Sequence, residues 1–290
     1  MDKKTINKPI ESCMIVFLVC SIARILEYFL IRTDETVLAE AFLHKVFGII
    51  VIAVILRLAK LSWSAIGFTK ANMIQGILKG FALGAGCFSV AYLLECIFLY
   101  SINGNVQISI YASGFSLNGE PVKQNRFIFI MLCIAFNMIN VWMEEGVFRG
   151  LFANLLADKL NFKDAAALIA LLFGTWHWVM PLRDFVEGRT STANLLILGM
   201  GYIVLAGIMS IKWSILYKIT GSLWMGLGDH LFNNVIVTNL LHVISENESD
   251  SMQVVRILIG QLMSFLFVMV YYKLHGNGAS WSIWKKEASV

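Results

Sequence analysis

The chain has 290 residues, of which 58% are apolar and only 14% charged. Soluble domains sit near about 45–50% apolar and about 25% charged, so the composition excludes an ordinary soluble protein and, at roughly 20 residues per crossing, supplies about eight membrane spans. The net charge of +4 is small and dispersed, with no long basic tract, which argues against nucleic acid as a partner and leaves membrane lipid as the expected surrounding.

The runs over 47–56 and 265–270 are apolar on every face, unlike the alternating segments of a membrane barrel. The fold class expected is all-α, a polytopic bundle of about eight transmembrane helices, with no strands. The basic amino-terminal stretch leads into an apolar run without a small-residue cleavage site, which reads as a first span rather than a removable signal. Apolar windows place spans near 10–31, 42–59, 74–101, 127–149, 163–180, 193–212, 221–242 and 252–274. The fourth helix is expected to run on past the membrane face until the break at Asn161. The longest connections are 101–126 and the acidic 245–250, where Asn247, Glu248 and Ser249 spell a glycosylation sequon. No internal repeat is visible, so residues 1–290 read as one integral-membrane domain.

One set of loops carries Lys3, Lys4, Lys8, Arg57, Lys60, Lys70, Lys159, Lys163, Lys212, Lys218, Lys273, Lys285 and Lys286; the other carries Arg32, Lys45, Lys123, Arg126, Arg183 and Arg189. The positive-inside rule makes the richer set cytoplasmic, predicting both termini inside, with the plasma membrane as the expected location. Cys13, Cys20, Cys87, Cys96 and Cys133 all fall within apolar runs and read as small packing residues.

Ionisable residues inside spans are costly unless paired or facing water, so they mark where function concentrates. Arg24 with Glu27, and Lys79 with Glu95, read as pairing or snorkelling. In the fourth span Glu145 and Arg149 are i, i+4 and predict a buried ion pair, which leaves Glu144 free to act on the bundle interior. Gly146 and Gly150 form a small-residue step that admits a close neighbour. In the fifth span His177 lies one turn beyond Phe173, between Trp176 and Trp178. In the seventh, His230 and Asn234 are i, i+4 on one face. At 1.5 Å rise per residue, Glu144, His177 and His230 stand about 24, 21 and 14 Å from the cytoplasmic ends of their helices, close enough in depth to share a cavity.

These three motifs, Glu144-Glu145 with Arg149, Phe173 with His177, and His230 with Asn234, resemble the signature of the CAAX-protease and bacteriocin-processing (CPBP, or Abi) family of intramembrane proteases, over a core at 127–240. The resemblance implies an eight-helix bundle in which Glu144 and His177 activate water while His230 and Asn234 stabilise the tetrahedral oxyanion, with Glu145, Arg149 and Phe173 in support. The chemistry of the side chains agrees: a carboxylate and an imidazole suit general-base work, and an amide with an imidazole N–H suits an oxyanion. The expected activity is hydrolysis of a peptide bond in a membrane-associated peptide or protein, by CAAX-type or leader and precursor processing. A non-catalytic immunity or regulatory partner of the same fold is the alternative, and a proton-coupled transporter a third reading that the few Gly and Pro interruptions do not favour.

Other protease signatures are missing or incomplete. There is no HExxH; Tyr111-Ala112-Ser113-Gly114 falls short of a rhomboid serine motif; Gly226-Leu227-Gly228-Asp229 spells GxGD without the second aspartate context such enzymes need. Asp229 is expected to orient His230 or to pair nearby. No cofactor is expected. Were a zinc ion bound, Glu144, His177 and His230 would hold it, but that would leave no free general base beside the ligands, and Asn234 is a better oxyanion donor than zinc ligand.

Overall fold

The structure is a computed structural model that describes residues 8–36, 40–113, 123–245 and 250–275. Lys3, Lys4, Lys285 and Lys286, Gly114, the Asn247 sequon and both ends of the chain lie outside the described residues. The fold is all-α with one small hairpin. Helix α1 (Pro9–Leu26) starts with proline in its first turn, where the missing N–H costs nothing, and widens into a π-helical turn over Glu27–Ile31. It is followed by α2 (Leu43–Ala59), α3 (Met73–Asn103) and α4 (Phe127–Glu144). Helix α4 runs unbroken through a π-helical stretch, Glu145–Phe152, into α5 (Ala153–Leu156). Asn161 then caps α6 (Phe162–Trp176), its Oδ1 accepting from the backbone N–H of Lys163 and Asp164 in the usual N-cap manner. Next come α7 (Val179–Val186), α8 (Thr192–Thr220), and α9 (Trp224–Phe232), which passes into a third π-helical stretch at Asn233–Leu240; α10 (Gln253–His275) is the last described helix.

Six of these helices are long and apolar enough to cross a membrane: Pro9–Glu35, Met73–Ile102, Phe127–Leu156, Phe162–Val186, Thr192–Thr220 and Gln253–Leu274. Two of the eight segments expected from the sequence, those near 42–59 and 221–242, fold as shorter helices; α2 has 17 residues, at the lower end of what spans a bilayer. Large side chains such as Ile22, Leu93, Ile97, Ile197 and Phe267 are more than half exposed on the outer helix faces, a surface suited to lipid and not to water.

The expectation of no strands is corrected. Strands β1 (Gln107–Ile110) and β2 (Leu241–Ile244) pair antiparallel, with Gln107 opposite Ile244 and Ile110 opposite Leu241. They join the end of α3 to the end of the α9 helix, outside the long spans. The sequence signal was hidden because each strand has only four residues and β2 continues an apolar helix without a break.

The core is densest where α3 crosses α9. A Cβ on Gly80 would run into the carbonyl oxygen of Met225 and come within 2.5 Å of the Asp229 amide nitrogen, one on Gly76 would lie 2.6 Å from the Trp224 side chain, and one on Gly84 2.6 Å from the Phe232 ring. Only glycine lets two backbones approach this closely. The Gly146/Gly150 step acts similarly: a Cβ on Gly150 would meet the Ile66 carbonyl oxygen at 2.9 Å.

Several charges counted as loop residues are core residues instead. Helix α8 runs to Thr220 rather than ending at residue 212, so Lys212 is fully buried; Lys45 is buried and pairs with Glu40; and Arg183 is buried against Asp34, Glu35 and Glu187. The five cysteines are free thiols, buried or half-buried.

Candidate active site

Glu144 is the last residue of α4 before the π-helical stretch, and its carboxylate is 3% exposed. Its Oε1 accepts a hydrogen bond from Trp176 Nε1 at 3.0 Å and lies 4.0 Å from Arg24 Nη1, while Oε2 faces His230 Nε2 at 3.5 Å. Glu144 thus turns toward His230; His177 is close enough to act on it electrostatically but forms no hydrogen bond or ion pair with it.

His177 caps the end of α6 and its Nδ1 lies 2.8 Å from the Phe173 carbonyl oxygen. A carbonyl can only accept, so Nδ1 carries the hydrogen and, in the neutral ring, Nε2 is left with its lone pair. The ring is steered by Phe173, edge-on at 4.8 Å, and by Tyr202, stacked at 5.8 Å.

Glu145 and Arg149 do meet, at 3.6 Å between Oε1 and Nη1, and both are fully buried. The Arg149 guanidinium also lies 4.0 Å from the Phe173 ring centre and 4.9 Å from that of Trp213. Glu145 Oε1 further accepts from His230 Nδ1 at 2.9 Å. His230 is therefore fixed on three sides: Glu145 at one nitrogen, Glu144 at the other, and Trp213 stacked on its face at 3.9 Å with a 16° tilt.

Asn234 lies one turn past His230, at the start of the π-helical stretch, and is half-buried. It forms no hydrogen bond with Glu144, His177 or His230. Its Oδ1 accepts from Asn233 Nδ2 at 3.0 Å, and its carbonyl accepts from Asn239 Nδ2 at 2.7 Å. Of the residues singled out in the sequence, Glu144, Glu145, Arg149, Phe173, His177 and His230 form one cluster, and Asn234 borders it.

One expected pairing is corrected. Glu27 does not pair with Arg24, because the helix widens at Glu27 and its carboxylate is filled by better-placed donors: the backbone N–H groups of Leu43 and His44, the His44 ring at 2.6 Å, and the Thr33 hydroxyl. Arg24 is released toward the site, where it lies 4.4 Å over the Trp176 ring and beside Glu144. At the other helix, Glu95 is paired, accepting from Arg256 of α10 at 2.9 and 2.7 Å, and Lys79, near the opposite end of α3, is exposed beside a pocket of about 400 Å³ between the starts of α3 and α9. Asp229 pairs nearby, as one of its two expected uses: Oδ2 accepts from Trp213 Nε1 at 2.8 Å and forms an ion pair with Lys212 at 2.5 Å.

Sequence reading missed Arg24 as a neighbour of Glu144, Trp176 as its hydrogen-bond donor, and Trp213 as the platform under His230. Trp176 was legible in principle, since an indole N–H buried in a span needs an acceptor. Trp213 was not, since nothing local ties it to His230.

As to metal, among the described residues no three His, Cys, Asp or Glu side chains converge as a ligand set. His230 has a carboxylate at each nitrogen, and His177 forms no hydrogen bond or ion pair with Glu144.

Comparison with known families adds one finding. Residues 126–236 match the family model for Rce1-like, type II CAAX prenyl endopeptidase Rce1-like proteins. Comparisons with curated proteins and with solved structures give no match. The matched segment holds all three motifs, from Glu144 to Asn234. Over residues 126–236 the chain carries the Rce1-like signature of the CPBP membrane proteases.

Proposed function

We propose that this integral membrane protein is an intramembrane endopeptidase of the CAAX type, and that it works without a metal. The observation that carries the reading is a buried carboxylate, Glu144, oriented by Trp176 and set near a histidine, His177, whose Nδ1 is tied to a backbone carbonyl. That leaves two acceptors, a Glu144 oxygen and His177 Nε2, separated by more than a direct bond. Such a gap suits one water donating to both.

In this reading Glu144 takes one proton from that water as the water oxygen attacks the scissile carbonyl carbon, while the other O–H stays with the water oxygen and donates a hydrogen bond to His177 Nε2. The carbonyl oxygen becomes an oxyanion facing the Asn234 amide, beside His230, whose Nδ1 hydrogen is already given to Glu145. Collapse breaks the C–N bond, and Glu144 returns its proton to the leaving amine. One group serves as base and then acid, as general acid–base catalysis requires.

The substrate is a membrane-associated chain with an apolar modification. An apolar groove of about 510 Å³ runs between α1 and α2, lined by Val19, Ile22, Leu26, Leu43 and Phe47, with Glu27 and His44 at its floor. Its size falls in the range of small-molecule sites. His44 lies 5.8 Å from the Trp176 ring that holds Glu144, so the groove adjoins the reacting centre. The plasma membrane and cytoplasmic termini belong to the same reading.

The test uses the purified full chain in nanodiscs with an internally quenched, farnesylated peptide bearing a CAAX-type end. Cleavage is expected to persist after treatment with a strong chelator, and Glu144→Gln should lower kcat by at least about 100-fold with an unchanged melting temperature. Activity that disappears on chelation and returns with one equivalent of zinc would reverse the metal assignment; full activity of Glu144→Gln would reverse the catalytic one.

A further inference from the structure

Beside Trp213 and Asn234 lies a chain of buried polar groups that the mechanism above does not use. Lys212 of α8 is fully buried, and its ammonium has three hydrogens and no lone pair. It donates to Gln261 Oε1 at 2.7 Å and to Ser264 Oγ at 2.8 Å, and pairs with Asp229 Oδ2 at 2.5 Å. Two of its hydrogens are thus given to neutral acceptors and its charge is matched by Asp229. Gln261 of α10, 1% exposed, then donates from Nε2 to Asn233 Oδ1 at 2.9 Å, and Asn233 donates from Nδ2 to Asn234 Oδ1 at 3.0 Å.

The sequence of donors and acceptors has only one consistent direction. Because Lys212 can only donate, the atom of Gln261 that it touches must be the oxygen, so the nitrogen faces Asn233. The atom of Asn233 that meets it must then be the oxygen, so its nitrogen faces Asn234. Asn234 must in turn present its oxygen to Asn233, which leaves Nδ2 as a donor with no partner among the described residues. Side-chain amides ordinarily flip between two near-isosteric states; here a cation at one end fixes three in succession, and each bond polarises the next.

We propose that Lys212, Gln261 and Asn233 are positioning residues, a relay that holds the Asn234 amide with its N–H₂ toward the substrate and strengthens it as an oxyanion donor. The proposal rests on the reading of Asn234 as that donor. Lys212 also serves the other half of the motif. Asp229, which it neutralises, accepts from Trp213 Nε1, and the Trp213 ring is stacked on His230. One buried ammonium thereby orients both His230 and Asn234.

Gln261→Glu gives the decisive test, because it conserves volume, keeps a partner for Lys212, and removes only the donor toward Asn233. Asn233 then turns its nitrogen to the new carboxylate and its oxygen to Asn234, whose own oxygen is left facing the site. In the farnesylated-peptide assay kcat is expected to fall about 100-fold, the size of losing one oxyanion donor, with KM within about twofold. Asn233→Asp should do the same by the same logic. In an Asn234→Ala background neither substitution should cost more than about twofold, since the relay acts only through Asn234.

An equal loss in both backgrounds would mean a purely structural role and would overturn the proposal, as would wild-type kcat in Gln261→Glu. A second readout does not depend on cleavage. In protein labelled with ¹⁵N-asparagine, the side-chain amide signal lost in Asn234→Ala should move in Gln261→Glu and Asn233→Asp; an unmoved signal in both overturns the relay. Should the wild-type chain leave the peptide intact, the proposed function fails, and the amide signal still decides the relay by itself.

Discussion

Arg149 is fully buried, and none of its three guanidinium nitrogens has a hydrogen-bond acceptor. Glu145 offers charge at 3.6 Å but no hydrogen bond, so much of what steadies the cation is the Phe173 face at 4.0 Å. A desolvated cation–π contact contributes about 2 kcal/mol or more. Phe173→Leu should therefore cost more than its lost volume, about 2–4 kcal/mol, read as a lower melting temperature in detergent. Part of that loss should vanish when Arg149→Met is added, because the unsupported cation is then gone; equal losses with and without Arg149 would show that the ring acts by packing alone. Trp176→Phe makes a cleaner test of Glu144. It removes the 3.0 Å hydrogen bond while keeping an aromatic ring for Arg24 and His44 to rest on, and a bond to a charged group is worth about 1.5–3 kcal/mol. The expected outcome is a fall in kcat of about tenfold or more at nearly unchanged stability, with wild-type kcat refuting the orienting role.

The three π-helical stretches, Glu27–Ile31, Glu145–Phe152 and Asn233–Leu240, all coincide with buried polar groups, and two begin on the motifs. A π turn leaves backbone carbonyls poorly served, and here side chains serve them: Thr238 Oγ1 donates to the Asn233 carbonyl at 3.0 Å and Asn239 Nδ2 to that of Asn234 at 2.7 Å. Such turns occur mostly at functional sites, where they rotate side chains off the regular helical face. That is why the Arg24–Glu27 spacing misled: the i, i+3 rule assumes a helix that does not widen. The crossing of α3 and α9 was, by contrast, written in the sequence as Gly76, Gly80 and Gly84 at four-residue steps, a stronger small-residue signal than Gly146/Gly150 and one the sequence reading passed over. Gly80→Ala would press a methyl group against the Met225 carbonyl oxygen and the Asp229 nitrogen, both backbone and unable to swing aside. A destabilisation of about 1–3 kcal/mol is expected, and since α9 carries His230, cleavage should fall as well; a variant with full activity would show that the crossing does not position the site. The hairpin is held differently. His242 stacks on Tyr111 at 3.9 Å and reaches Asp250 at 3.1 Å, and Arg256 also binds Asp250. Burial raises the Asp250 carboxyl, but the hydrogen bonds from His242 and Arg256 outweigh it and hold the group below its ordinary range. A carboxyl depressed in the folded state stabilises fully above its unfolded value, near about 3.9, and that contribution is lost as pH falls through the folded value. Asp250→Asn should therefore lower stability at neutral pH and flatten the acid limb below about pH 4; parallel acid profiles for the two proteins would show that Asp250 is not the group responsible.

At the scale of the whole molecule, the motifs were legible because they keep four-residue spacing within apolar helices, and the class of fold was legible because composition leaves few alternatives. What was not legible was which charges lie inside. Counting lysines at window edges placed Lys212 in a loop, while the helix continues two further turns and buries it; Lys45 and Arg183 were misassigned in the same way. Withdrawing these three changes the topological argument and sharpens it. One end of the bundle keeps Lys8, Arg57, Lys60, Lys70, Lys159, Lys163, Lys218 and Lys273, and the other keeps only Arg32, Lys123, Arg126 and Arg189. Of those four, Arg32 pairs with Glu35 and Glu187, and Arg189 with Asp184 and Glu187, which lowers their pull further. The first end is also one place in space: the Leu223 N–H donates to the Gly67 carbonyl at 3.0 Å and the Trp224 indole to that of Thr69 at 2.6 Å. Since the bias in Lys and Arg near helix ends sets orientation, that end should face the cytoplasm. With the native cysteines replaced, Lys60→Cys should react with an impermeant maleimide only after the membrane is opened, whereas Arg189→Cys should react in intact cells. The reverse pattern would invert the molecule, and labelling of both positions in intact cells would show that α1 and α2 do not cross as a pair.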